Sequence, residues 1–339
     1  MSDSDTAKQP GERPTLKTIA RLTGMAVPTV SRALNDAPDI GKETKERVRE
    51  AARSVGYRPN RAGVRLRTGK TNVVSLVLSA DHDMMNHTAR LITSVAGALR
   101  HTPYHMIVTP YFADEDPMVP VRYIVETGSA DAVILNQTRP KDPRIAYLME
   151  RDFPFATHGR TDWAARHPYY DFDNEGFAKA AMGELARRGR RNVLLVFPPI
   201  EQYYSQLLMG GATAAAEETG VRIERLTTAV SDDPGSVVQP AIADYLAEHP
   251  KTDAIICASS NACMAATAAA ENAGHTIGDG LDIIGKEAIP FLKQFRAPIL
   301  RMFEDVARAG DFVARAAINR IENPTAPPMQ KLERPTRFT

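Results

Sequence analysis

Residues 25–35 read MAVPTVSRALN. Val30 and Leu34 recur at helical spacing, so the stretch predicts a short helix that begins near Val27 and has one apolar face. Pro28 does not oppose that reading. In the first turn of a helix the backbone N–H has no intrahelical acceptor, so a residue without one is tolerated there. Val30 and Leu34 are expected inside, which leaves Thr29, Ser31 and Arg32 on the outer face. Upstream, LKTIARLT (16–23) sets Leu16, Ile19, Ala20 and Thr23 on one face. Thr15 is placed to cap that helix, and Gly24 to supply a left-handed residue at its end. A third helix is predicted from about Lys42 to Val55, burying Val48, Ala51, Ala52 and Val55 and stopped by Gly56. Helix, glycine turn, short helix, third helix is the pattern of a helix-turn-helix unit, whose second helix enters the major groove of DNA by its N-terminal end. In that pose Val27 and Pro28 point at base edges. Thr29 and Ser31 offer hydroxyls to phosphates, and Arg32 reaches a base or a phosphate. The plain alternative is a three-helix fragment without a ligand.

Charge favours the polyanion. Residues 1–70 hold 15 Lys and Arg against 8 Asp and Glu, which leaves 27 against 33 from the chain's totals of 42 and 41. A basic head on an acidic body is the footprint of nucleic-acid binding. The composition is otherwise that of a globular protein, with 43% hydrophobic and 24% charged residues over 339. No run of about 18 apolar residues predicts a membrane span. The polar start MSDSDTAKQPGERP has no apolar core of a secretory signal. The two cysteines, Cys257 and Cys263, stand without a nearby histidine cluster, so a reduced, cytoplasmic location is expected.

Beyond the head, NRAGVRLRTGKT (60–71) reads as a linker with a switchable helix. Gly63 weakens any helix there by about 1 kcal/mol against alanine, and one or two turns do not hold alone in water. Such a segment folds only when a partner supplies contacts. Leu66 is apolar among Arg61, Arg65, Arg67 and Lys70. The alternative is a flexible linker with one stray leucine.

TLKTIARLTGMAVPTVSRALN together with TKERVREAARSVGYRPNRAGVRLRTGKT resembles the N-terminal domain of the lactose-repressor (LacI/GalR) family, continuously over residues 15–71. The resemblance implies base reading by Val27, Pro28 and Arg32, and phosphate contacts near Thr15, Thr29, Ser31 and Asn35. It leads through Tyr57, Asn60 and Arg61 into a hinge whose Leu66 wedges into the minor groove. Ala26 departs from the family's usual serine, which puts one phosphate contact in doubt.

From residue 72 the pattern changes. Apolar runs at 73–79, 104–110, 131–136, 153–158, 192–198, 253–259 and 281–285 alternate with amphipathic segments such as 88–100, 175–188 and 209–219. Repeated strand–helix units predict parallel sheets wound by helices. More than 250 residues exceed one doubly wound core, so two lobes with a cleft at the carboxyl ends of the strands are expected. The resemblance continues here more weakly. It implies an α/β bilobal body like a periplasmic sugar-binding protein, crossed three times by the chain. The expected organisation is a disordered tail over 1–14, the all-α head over 15–58 and the hinge over 59–71. An effector-binding and dimerisation domain follows over 72–339, with an N-lobe of about 72–171 plus 305–330 and a C-lobe of about 172–302.

Candidate effector contacts are Asn136 at a strand end, Arg160 after THG, Tyr204, Asn261 at a strand-to-helix turn, Glu287 and Glu304. Arg160 has a neighbouring carboxylate as its other possible partner, and Asn261 a helix cap. Asp173-Asn174 reads as a cap, and Tyr203 to Gln206 as a polar-aromatic loop over the cleft. Asparagine, arginine, glutamate and tyrosine suit a polyol, so a sugar or sugar derivative is the expected effector. Leu208, Ala262 and Gly285-Lys286-Glu287 stand where family members often carry Arg, Asp and GYD or GFD, so no known effector is transferred. The sequence carries little that suggests an enzyme. GLDIIGKE (280–287) mimics a phosphate loop but has Glu287 in place of Ser or Thr, and its strand lies inside the motif. His101 and His105 are separated by Pro103 and have no third ligand. No cofactor and no metal are expected. The expected protein is a repressor that binds a near-palindromic operator on double-stranded DNA as a homodimer, with a tetramer left open. A sugar-binding or sugar-processing protein without a DNA role is the alternative.

Overall fold

The computed structural model describes residues 14–57, 65, 69–79, 85–112, 114–295 and 297–339. Of the tail expected over 1–14 only Pro14 is among them, and the hinge candidates Asn60, Arg61 and Leu66 lie outside the described residues. The chain divides into two compact units, 1–71 and 72–339.

The first unit contains α1 (Leu16–Thr23), α2 (Val27–Leu34) and α3 (Lys42–Ser54). Thr15 caps α1 reciprocally. Its hydroxyl accepts from the Thr18 N–H, and the Thr18 hydroxyl accepts from the Thr15 N–H. Gly24 ends α1 at φ 69°, where a β-carbon would be strained. Ile19, Val30, Ala33, Val48 and Ala52 form the core, and Leu16, Leu34, Ala51, Val55 and Tyr57 pack around it. The fully buried partner of Val30 on α2 is thus Ala33, with the expected Leu34 half-buried at its edge. The loop into α3 is pinned by Asp36, whose carboxylate pairs with Lys45 and Arg49 at 3.1 and 2.7 Å.

The second unit begins with β1 (Val73–Ser79), α4 (Met85–Leu99), β2 (His105–Tyr111), α5 (Met118–Thr127), β3 (Ala132–Leu135), α6 (Pro143–Glu150), β4 (Phe155–His158) and β5 (Tyr169–Phe172). It continues with α7 (Asn174–Arg187), β6 (Asn192–Val196), α8 (Tyr203–Thr219), β7 (Arg222–Arg225), α9 (Gly235–Glu248), β8 (Ala254–Cys257) and α10 (Ser260–Asn272). The last elements are β9 (Thr276–Ile277), β10 (Gly280–Glu287), β11 (Leu300–Phe303), α11 (Val306–Glu322) and β12 (Gln330–Glu333). Two parallel sheets result. The N-lobe sheet runs β12-β5-β4-β3-β1-β2, and the C-lobe sheet runs β11-β10-β8-β6-β7 with β9 beside β10.

Each sheet is covered on both faces, which is why its central strands are apolar throughout. Along β1, Val74, Leu76 and Leu78 pack toward α4 and α11, while Val73 and Val77 pack toward α5 and α6. In the C-lobe, Ile255 and Cys257 of β8 face α9 and α10, and Ala254 and Ile256 face α7 and α8. Helices α4 and α11 meet closely at Gly310, where a β-carbon would lie 1.8 Å from Ser94 Oγ and 3.1 Å from the Leu91 carbonyl oxygen.

The chain crosses between lobes after β5, after β11 and after β12. The last crossing returns the terminus to the C-lobe, where Phe338 packs on Phe177 and Thr339 exchanges backbone hydrogen bonds of 3.0 and 3.3 Å with Arg301. The expected polar-aromatic loop at 203–206 is instead the first turn of α8. The strands the apolar runs did not announce include β7 and β12, edge strands reading RIER and QKLE. Among the described residues no helix is long and apolar enough to cross a membrane.

Candidate DNA-reading helix and effector cavity

Helix α2 presents Pro28 and Arg32 exposed, with Val27, Thr29 and Ser31 half-buried. The start of α2 lacks a side-chain cap because residue 26 is alanine. Its free N–H groups, together with the positive end of the helix dipole, suit an anion such as a phosphate. Arg32 pairs with Asp39, and the Asn35 side chain donates to the Ser31 carbonyl where α2 ends. Thr15 is exposed although its hydroxyl serves the α1 cap, and Tyr57 is half-buried against the core.

In the second unit the carboxyl ends of both sheets converge on a cavity of about 240 Å³. The N-lobe supplies His87, Asn136, Thr138, His158 and Asp171. The C-lobe supplies Tyr204, Ser231, Asp232, Asn261 and Lys286, and the crossovers supply Asn174 and Glu304. Doubly wound sheets put polar residues here because strand ends leave the core while their side chains stay enclosed.

Four of the six sequence-derived effector candidates line this cavity, namely Asn136, Tyr204, Asn261 and Glu304. Among the described residues the Asn136 Oδ1 is buried without a hydrogen-bond partner. Tyr204 donates to Asp232 at 3.2 Å, and burial, reinforced by that carboxylate, pushes its hydroxyl well above the usual range. Tyr204 therefore stays a protonated donor. Ser259, not Asn261, caps α10 by accepting from Ala262 N–H, while Asn261 Nδ2 donates to the Asp233 carbonyl at 2.9 Å.

Arg160 and Glu287 are not among the cavity-lining residues. The guanidinium of Arg160 is held by Asp171 at 2.7 Å, so the carboxylate reaches the cavity and the arginine backs it. Burial pushes the Asp171 carboxyl up to about 6 against the pull of Arg160. Glu287 pairs with Arg301 at 3.1 Å and accepts from Leu292 N–H at 3.0 Å. Strand alternation explains the exchange. On β10 successive side chains take opposite faces, so Glu287 points away and its neighbour Lys286 points in.

Lys286 is the centre of a buried network. Its Nζ donates to Asn174 Oδ1 at 2.7 Å and to Glu304 Oε2 at 3.0 Å. Burial alone would raise the Glu304 carboxyl, but Lys286, followed by His87, holds it well below the usual carboxylate range. His158 is driven down to about 3 by burial, with His87 adding to the effect, and so is neutral. The rings of His87 and His158 stack at 5.2 Å. The expected capping role belongs to Asp173, which accepts from Gly176 N–H, whereas Asn174 faces the cavity.

Sequence reasoning missed Asp171, Asp232, Lys286, His87 and His158 as wall residues. The usable signal was position, since His158 closes the run FPFATH at a strand's carboxyl end. Leu208, where family members often have arginine, is fully buried in the C-lobe core.

Comparison with known proteins agrees with this architecture. The family described as bacterial regulatory proteins, lacI family, matches residues 15–60, and a periplasmic binding protein-like domain matches residues 182–339. The chain is 32% identical over 328 residues to the HTH-type transcriptional regulator AglR of Rhizobium meliloti (strain 1021), covering 94% of this chain and 91% of that one. It is 24% identical over 323 residues to the HTH-type transcriptional regulator CelR of Thermobifida fusca, covering 94% and 95%. Among solved structures, the lac repressor dimer bound to operator and the anti-inducer ONPF superposes with a TM-score of 0.83 at 16% identity, over 97% of this chain and 98% of that one. The transcriptional regulator CelR–cellobiose complex superposes with a TM-score of 0.70 at 22% identity, over 96% and 98%. With a helix-turn-helix head, a bilobal parallel-sheet body and full-length relatives that are regulators, the chain belongs to the LacI family and is a DNA-binding transcriptional regulator rather than an enzyme.

Proposed function

We propose that this regulator is a cytoplasmic repressor that binds a near-palindromic operator as a homodimer and is controlled by a sugar or sugar derivative in the interlobe cavity. The observation that carries the effector reading is the cavity wall. It mixes carboxylates (Asp171, Asp232, Glu304), amides (Asn136, Asn261) and a tyrosine hydroxyl, and among the described residues the Asn136 oxygen is buried without a partner. Hydroxyl-rich molecules match such a set, because each hydroxyl both donates and accepts. The cellobiose complex of a fold neighbour points to the same class. On DNA, Val27, Pro28 and Arg32 read bases, and Thr15, Thr29, Ser31 and Asn35 lie at phosphates. Tyr57, Asn60, Arg61 and Leu66 carry the hinge contacts at the operator centre. Arg32 must leave Asp39 to do so, an exchange between exposed charges that costs little.

The experiment selects genomic fragments bound by the purified protein, then titrates the best fragment in the presence of mono- and disaccharides. The expected result is a preferred, near-palindromic fragment whose affinity changes at least about fivefold with one sugar. Absence of any preferred fragment would overturn the operator reading, and indifference to every sugar the effector reading. Sedimentation of the complex separates a dimer from a tetramer.

A further inference from the structure

We propose that His87, His158 and Glu304 bind one divalent transition-metal cation of the zinc type, in the wall of the cavity. The three residues come from α4, the end of β4 and the crossover after β11, and one ligand atom of each lies within 4.8 Å of the other two. His87 Nε2 is 3.9 Å and His158 Nε2 is 3.8 Å from the same oxygen, Glu304 Oε1. Those separations are too long for hydrogen bonds, which end near about 3.2 Å. Ligand atoms about 2.0–2.1 Å from a tetrahedral zinc stand roughly 3.3–3.4 Å apart, so each imidazole closes on the carboxylate by about half an ångström, and the two imidazoles, within 4.8 Å of each other, close by at most about 1.4 Å.

The surroundings support the same conclusion. Among the described residues His87 Nδ1 is buried with no hydrogen-bond partner, so the fold's described hydrogen bonds do not explain why this ring is here. Lys286 occupies the other oxygen of Glu304, Oε2, at 3.0 Å, which orients the carboxylate with Oε1 toward the two imidazoles. Carboxylates that ligate metals are held in this way by an outer hydrogen bond. The ammonium so close by weakens cation binding relative to a four-ligand structural zinc site, and places the ion among exchangeable ones. All three ligands line the cavity, so the remaining coordination positions open toward it. Two imidazoles and a carboxylate with an open position form the donor set borderline divalent ions prefer.

The test uses the full-length protein, stripped with chelator and dialysed against Zn²⁺ or Co²⁺, with no sugar and no DNA. The expected result is one zinc retained per chain and, with Co²⁺, the visible absorption of a low-coordinate site. H87Q and H158Q should each weaken binding by at least about tenfold while retaining the wild-type circular dichroism. The double variant H101Q/H105Q, which removes two exposed histidines, should bind as the wild type does. No retained zinc and no cobalt absorption in the wild type would overturn the site, whatever the variants do. Equal retention by folded H87Q and H158Q would overturn it as well. Either failure leaves control by sugars standing, because neither sugar nor operator enters the measurement.

Discussion

Replacing Lys286 by methionine tests the buried network most directly. The ammonium lies 3.0 Å from Glu304, and their side chains are 6% and 11% exposed. At that distance the attraction is about 5 kcal/mol with an effective dielectric constant of 20. Methionine fills the volume but leaves Glu304 charged, enclosed and without its cation. Removing one partner of a buried pair typically costs about 3–5 kcal/mol, most of it the cost of stranding the other charge. The second variant, K286M/E304Q, removes both charges and should recover to within about 1–2 kcal/mol of wild type. E304Q completes the cycle, and even if it cost nothing by itself the coupling between the two positions is then at least about 1 kcal/mol.

Urea unfolding at neutral pH with chelator present measures these differences. Trp163, the chain's single tryptophan, packs at the edge of an N-lobe core and reports that lobe by fluorescence, while circular dichroism follows the whole chain. Expected midpoint losses are large for K286M and small for the double variant, with unchanged m-values. A coupling below about 0.5 kcal/mol would refute the reasoning, because it would mean that water already screens the two charges from each other.

Three further outcomes follow. The Asp171 carboxyl titrates near 6 when folded, above its ordinary 3.8, so the stability it contributes is present below 3.8 and is lost as pH rises to about 6. D171N should therefore gain on wild type by up to about 3 kcal/mol between pH 4 and pH 7 in paired unfolding curves, and a pH-independent difference contradicts the shift. Leu66→Ala should weaken operator binding while leaving nonspecific DNA binding intact in a competition assay; equal losses on both refute the wedge role. Operator affinity should fall by about 10³–10⁵ between 50 and 200 mM salt if roughly six to ten phosphates are contacted, and a flat titration contradicts phosphate-dominated docking.

The head was legible in the sequence because its determinants are local. Thr15, Gly24, Pro28 and Gly56 each act within one turn of their own position, and the apolar spacing of α1 to α3 needs no knowledge of the rest of the chain. The central strands were legible because burial on both faces leaves uninterrupted apolar runs. Edge strands such as RIER at 222–225 carry no such mark. The cavity was half legible. Asn136, Tyr204, Asn261 and Glu304 stand at strand or helix ends, where polar residues attract notice. The choice between Lys286 and Glu287 depends on which face of β10 looks inward, and that between Arg160 and Asp171 on which partner of an ion pair stands in front. Both are decided by how the lobes meet, a tertiary fact without local trace.

That meeting also bears on how occupancy of the cavity is felt elsewhere. Glu304 and Asn174 are wall residues, yet each also belongs to a crossover, Glu304 between β11 and α11 and Asn174 at the entry to α7. Lys286 ties both to the C-lobe sheet through its two hydrogen bonds. A molecule that takes the oxygens of Glu304 or Asn174 must therefore compete with Lys286, and in doing so loosens the C-lobe strand from two of the three segments joining the lobes. A molecule that satisfies Lys286, Asn174 and Glu304 together tightens the same joint. The sign of the response thus turns on which side of this ion pair the ligand engages. A differential of about 1–3 kcal/mol between the two lobe arrangements is enough for a 5–150-fold change in affinity at a distant site. K286M/E304Q removes that lever while leaving Asn136, Tyr204 and Asn261 in the wall. It should therefore still bind the effector in calorimetry but transmit less of that binding to the operator, and undiminished transmission would assign the lever to other contacts.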